Sequence, residues 1–101
     1  MSSGGDLSDT DVFVRDPEVE SNPLPDQTVL LFQKDTSLAV PVNAEGAAIW
    51  KMCDGAHTID QIVDKLAEIY DQERSRIEKD VRAFLGELVR LGLVDRLPTH
   101  H

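Results

Sequence analysis

Cys53, Asp54 and His57 lie in one short stretch and are the residues whose types could carry nucleophilic or metal chemistry. A thiolate nucleophile needs a base aimed at its sulfur, and zinc needs four ligands or three plus water. The spacing supplies neither. Cys53 falls at helical spacing from Ile49 and Trp50, on an apolar face, whereas His57 follows Asp54-Gly55 in what reads as the turn ending that helix. A buried structural cysteine beside an exposed turn histidine is the better reading, since free cysteine is among the most buried residue types. Gly46 and Gly55 stand apart across a helix and form no phosphate cradle. The residues therefore predict no catalytic set, no metal site and no cofactor: a protein that is not an enzyme.

A second chemistry is that of the open backbone. Thr28 to Gln33 and Leu38 to Val42 are rich in strand formers and flank the polar turn Lys34-Asp35-Thr36-Ser37, which reads as a β-hairpin. In the second arm Leu38, Val40 and Val42 share the core-facing side, with Ala39 and Pro41 opposite. Proline cannot donate to a ladder, so Pro41 places this arm at a sheet edge with the backbone of Ala39 and Pro41 turned outward. An open edge can take an added peptide strand, or a second copy of itself.

The elements that position this edge follow along the chain. Asn43 is set to cap a helix by accepting from the amide of Glu45 or Gly46, and Thr58 with Gln61 fits a capping box for the next. That second helix, Thr58 to about Tyr70, turns Ile59, Ile62, Val63, Leu66, Ile69 and Tyr70 inward. A third, from Glu73 or Arg74 to Leu91, buries Ile77, Val81, Phe84, Leu85, Leu88 and Leu91 and stops at Gly92. Val12 to Arg15 reads as a short strand, Asp16-Pro17 and Asn22-Pro23-Leu24-Pro25 as an extended loop, and Leu93-Val94 as a small final strand. The sum is an α+β domain, winged helix-turn-helix-like, with N-terminal antiparallel β-strands followed by three α-helices. It occupies residues 12–96, between a disordered acidic tail at 1–11 and a C-terminal tail at 97–101 that ends in His100-His101, the pattern of a purification-tag remnant.

Charge narrows the partners. The formal net charge is -9, and residues 1–26 hold seven acids against Arg15, so most of the excess lies at the N-terminal end. Nucleic acid and anionic membrane reward clustered Lys and Arg, which argues against both. The third helix does offer Arg74, Arg76, Lys79, Arg82 and Arg90, the basis of an alternative as a winged-helix DNA-binding regulator. Glu73, Glu78, Asp80 and Glu87 interleave with them, however, as on an ordinary solvated face. No signal-like start and no apolar run near the ~20 residues of a membrane span is present, and the lone cysteine suits a reducing compartment, so a cytoplasmic protein is expected. Beyond its central stripe the third helix continues apolar through Leu85 to Val89, beside Glu78 and Arg82, with Asp80, Ala83 and Glu87 on the opposite flank. That strip could wall a peptide groove beside the open edge; by periodicity alone, packing under the N-terminal segment fits it equally.

The runs V-L-L-F, L-A-V-P-V-N-A-E-G-A-A-I-W-K-M-C-D-G-A-H-T-I-D-Q-I-V-D-K-L and I-E-K-D-V-R-A-F-L-G-E-L-V-R-L-G-L-V, from Thr28 to about Val94, together resemble the PqqD family of RiPP recognition elements. The resemblance implies a non-enzymatic peptide chaperone that binds the leader of a ribosomally made precursor as an added strand. It would present that leader to a modifying enzyme, often a radical SAM enzyme, in the making of pyrroloquinoline quinone or another modified peptide. Carried onto this chain, the leader lies against Leu38, Ala39, Val40, Pro41 and Val42 and against the third helix, where the lopsided strip nominates Glu78, Arg82, Leu85 and Val89. The expected form is a monomer or weak homodimer.

Overall fold

The computed structural model describes residues 7, 8 and 10–97. The tail expected at residues 1–6 and 9, and the C-terminal residues 98–101, lie outside the described residues. The chain order is β1 (Val12–Arg15), β2 (Val19–Pro23), β3 (Val29–Gln33), β4 (Leu38–Val42), α1 (Ala44–Lys51), β5 (Asp54–Thr58), α2 (Ile59–Tyr70), α3 (Arg74–Arg90) and β6 (Val94–Leu97). The α+β class and the three-helix order are those expected. Two strands were not: β2 replaces the extended loop, and β5 replaces the turn assigned to Asp54-Gly55.

These additions divide the strands into two antiparallel sheets. One has the order β5-β1-β6, the other β2-β3-β4. In the first, β1 pairs with β5 through Val12 and Thr58, and with β6 from Val12–Leu97 to Arg15–Val94. Segments far apart in sequence are thus joined around Phe13, which is fully buried. In the second, β3 is central and β4 lies at the edge, as Pro41 requires, with Pro41 opposite Leu30 and Ala39 opposite Phe32. Val42 is buried and Val40 packs against the core, while Ala39 and Pro41 face solvent.

The helix ends follow from local chemistry. Asn43 Oδ1 accepts from the Gly46 amide at 2.8 Å, and Thr58 and Gln61 form a complete capping box, with Gln61 N to Thr58 Oγ1 at 3.1 Å and Thr58 N to Gln61 Oε1 at 2.9 Å. At the end of α3 the Leu93 amide reaches the Leu88 carbonyl and the Gly92 amide reaches Val89, a Schellman closure that needs the positive φ of 75° at Gly92. The buried residues of α2 are Ile59, Ile62, Val63 and Leu66, but Ile69 is 58% exposed and Tyr70 37%. Both were expected inward, and the apolar period outruns the neighbour available to cover it. No helix among the described residues is long and apolar enough to cross a membrane.

Of the described residues in the segment expected as a tail, Leu7 and Asp11 have defined partners. Leu7 packs against the core, and Asp11 is 3% exposed, paired with Arg96 at 2.7 Å and accepting from the Ser8 amide at 2.8 Å. A buried carboxylate held by a guanidinium and a backbone donor is satisfied rather than stranded.

Candidate functional site: a groove between α1 and α3

The site begins with the fixing of α1. Its first turn is held by Asn43, and its last carbonyls, Trp50 O and Lys51 O, accept from Arg15 Nη1 at 3.3 and 2.6 Å. The same guanidinium sits 5.9 Å from the centroid of the Trp50 ring. A cation at the negative end of a helix, over an aromatic face, ties α1 to β1 by two mechanisms at once. Sequence reasoning gave Arg15 no role, because its partners are contributed by an element far along the chain.

Against this fixed helix, α3 brings the ring of Phe84 over Gly46. A methyl group placed on Gly46 would stand 3.0 and 3.2 Å from two carbons of that ring and 3.2 Å from Asn43 Oδ1, so glycine is what lets ring, cap and helix coexist. Between them opens a groove of about 350 Å³ lined by Asn43, Glu45, Gly46, Ile49, Asp80, Ala83, Phe84 and Glu87. Its floor is apolar, from Ile49, Ala83 and Phe84, and its rim is acidic. Its lining includes Asn43, the residue that follows β4 and caps α1.

The carboxylates on the rim differ in their surroundings. Burial, and next the charge of Asp80, push the Glu45 carboxyl above its ordinary value, with Arg76 partly opposing. Glu87 is held low by its hydrogen bond to Arg90.

The nominated residues separate into two groups. Leu38, Ala39, Val40, Pro41 and Val42 lie together on the sheet edge. Glu78, Arg82, Leu85 and Val89 are not brought to the groove. Leu85 is fully buried in the core, and Val89 is 37% exposed on the flank turned away from the groove. Glu78 accepts from Arg82 Nε at 3.1 Å, and Arg82 Nη1 also donates to the Leu7 carbonyl. That flank meets the N-terminal segment, while Asp80, Ala83, Phe84 and Glu87 face the groove. Helical period alone gives two candidate flanks; the pairing of a glycine on one helix with an aromatic on the next is the signal that would have separated them.

The stretch that invited a catalytic reading carries none. Cys53 Sγ donates to the Ile49 carbonyl at 3.3 Å, and burial pushes its thiol up to about 12. His57 Nδ1 lies 2.9 Å from Asp54 Oδ1, and that bond holds the Asp54 carboxyl low. His57 stands on β5 rather than in a turn. No group of His, Cys, Asp and Glu able to hold a metal occurs among the described residues.

The family model described as coenzyme PQQ synthesis protein D (PqqD) matches residues 28–94. A PqqA binding protein of Methylococcus capsulatus (strain Bath) is 42% identical over 55 residues, 54% of this chain and 57% of that relative. The chain thus spans a little over half the length of this curated relative. Among solved structures, TbiB1 in complex with the TbiA(beta) leader peptide has a TM-score of 0.73 at 26% identity, over 85% of this chain and 99% of the other. The PqqD truncation of Methylobacterium extorquens PqqCD, described as a stand-alone RiPP recognition element, has a TM-score of 0.77 at 22% identity, over 91% and 97%, and shares the fold.

Proposed function

The chain belongs to the PqqD family, and on that premise we propose that it is a non-enzymatic adaptor that binds the leader of a ribosomally made precursor peptide and presents it to a modifying enzyme. The single observation that carries this reading is that β4 is an edge strand whose last residue, Val42, is followed directly by Asn43 in the lining of the groove. The register sets Ala39 opposite Phe32 and Pro41 opposite Leu30, which turns the N–H of Ala39 and the carbonyls of Ala39 and Pro41 toward the open edge, where an incoming strand can pair; in this reading a side chain of that strand occupies the groove over Ile49 and Phe84. Support comes from the PqqA binding protein and from TbiB1, whose description includes a bound leader peptide. The modifying enzyme is, on the family's pattern, a radical SAM enzyme, the product pyrroloquinoline quinone or another modified peptide, and the adaptor a monomer or weak homodimer in the cytoplasm.

DNA binding finds no favouring observation. Of the cations on α3, Arg74 is paired with Asp60, Asp64 and Glu78, Arg82 with Glu78, and Arg90 with Glu87, and the remaining two, Arg76 and Lys79, lie beside Glu73 and Asp80, leaving little net charge to displace counterions from a phosphate backbone.

The experiment is a titration of isotope-labelled protein with the leader segment of the precursor encoded beside it. Saturable amide shifts along Ala39 to Asn43 and at Asp80, Ala83, Phe84 and Glu87 are expected; shifts confined to Glu78, Arg82 and Val89, or none, would sink the reading. Ala39→Pro removes one outward donor from an edge while Pro41 already tolerates the same geometry two residues on. Binding should fall roughly tenfold with the melting temperature nearly unchanged.

A further inference from the structure

The rim of the groove bears on which peptides it accepts. Elsewhere around α3 the carboxylates are matched: Asp60 and Asp64 of α2 share Arg74 with Glu78 of α3, and Glu78 also holds Arg82. At the groove the pattern breaks. Among the described residues no Lys or Arg stands within ion-pair distance of Glu45 or Asp80, and only Glu87 has a partner, in Arg90. Arg76 is near enough to temper Glu45 without pairing with it. Two like charges therefore face one apolar floor, an arrangement that disfavours an acidic occupant and gains from a cationic one.

An extended strand repeats its facing every second residue, about 7 Å along. With one side chain on Ile49 and Phe84, the next side chain on the same face, two positions away, is the one placed to meet the carboxylates that line the groove. Resting on the adaptor reading of the groove, we infer that it selects peptide segments in which an apolar residue is followed or preceded, two positions away, by Lys or Arg, with Glu45 and Asp80 as the specificity-determining carboxylates. A long Lys or Arg stem can cover the Phe84 edge while its charged head meets the rim.

The test is a displayed library of short random peptides selected against the whole protein at low salt. Recovered peptides are kept only if they shift the amides of Ala39 to Asn43 and of Asp80, Ala83, Phe84 and Glu87. The expected pool is enriched in the apolar–x–Lys/Arg pattern in either direction. E45Q and D80N should each weaken such a peptide roughly two- to fivefold, an effect that shrinks at high salt. A charge-reversed E45K/D80K protein with an unchanged melting curve should exchange the preference for Asp or Glu. Peptides that occupy the groove without charge preference, or that bind E45Q/D80N as tightly, would overturn this inference and leave the adaptor reading standing. A pool from which no peptide reaches the groove would overturn both.

Discussion

On one flank of α3, Glu78 and Arg82 bond to each other, and Arg82 reaches back to the Leu7 carbonyl. On the other, Asp80 faces Glu45 across an apolar floor, with no Lys or Arg in ion-pair range among the described residues. Both flanks mix charged and apolar side chains in similar proportion. What separates them is whether the chain itself supplies the partner. One flank is satisfied internally, whereas the other keeps like charges around an accessible apolar surface, the flank at which the proposed peptide would bind.

The contrast can be broken first at the residue between the flanks. Leu85→Ala should cost about 2–5 kcal/mol, because it empties a fully enclosed position, yet peptide affinity per folded molecule should not change. Chemical denaturation alongside calorimetric titration tests both halves, and a selective loss of binding would return Leu85 to the groove.

Gly46→Ala acts on the groove flank. The added methyl presses on Phe84 and the Asn43 cap, so destabilisation of about 1–3 kcal/mol is expected, with a clear loss of affinity as the ring is pushed into the groove. A stabilised variant with intact binding would show that the glycine has no packing role.

Cys53 lies outside both flanks and reports on the core beneath them. Burial pushes its folded thiol up to about 12, above the ordinary value of 9.0, so the protonated form is the one the fold favours. The stabilisation is present below about pH 9 and is lost as pH rises toward 12, by roughly 1 kcal/mol at pH 10. Comparing the alkaline stability of the protein with that of Cys53→Ala isolates this contribution. Iodoacetamide should label the native thiol far more slowly than the unfolded one.

The smallest effect belongs to the satisfied flank. Arg82→Ala should cost no more than about 1 kcal/mol, its ion pair being partly solvated, and should leave peptide binding unchanged. A loss of binding equal to that of Gly46→Ala would erase the distinction between flanks.

Much of this was legible along the chain because it rests on near neighbours. Asn43, Thr58-Gln61 and Gly92 set helix ends within three or four residues, and the absent donor of Pro41 alone put β4 at an edge. The groove flank was not legible, and neither was β5. Asp54-Gly55 has the composition of a turn, and it is drawn into a strand by β1, some forty positions earlier in the chain, through pairings such as Val14 with Asp54.

The sequence by itself determined the local order of strands and helices, the open edge, the resemblance to the PqqD family and the burial of Cys53. Only the tertiary structure decided how α3 is rotated against its neighbours. Periodicity specifies which arc of a helix is apolar but not what stands beside each margin of that arc. Here the fit of Phe84 over Gly46 and the grip of Arg15 on the end of α1 place one margin against a groove, and Leu7 closes the other.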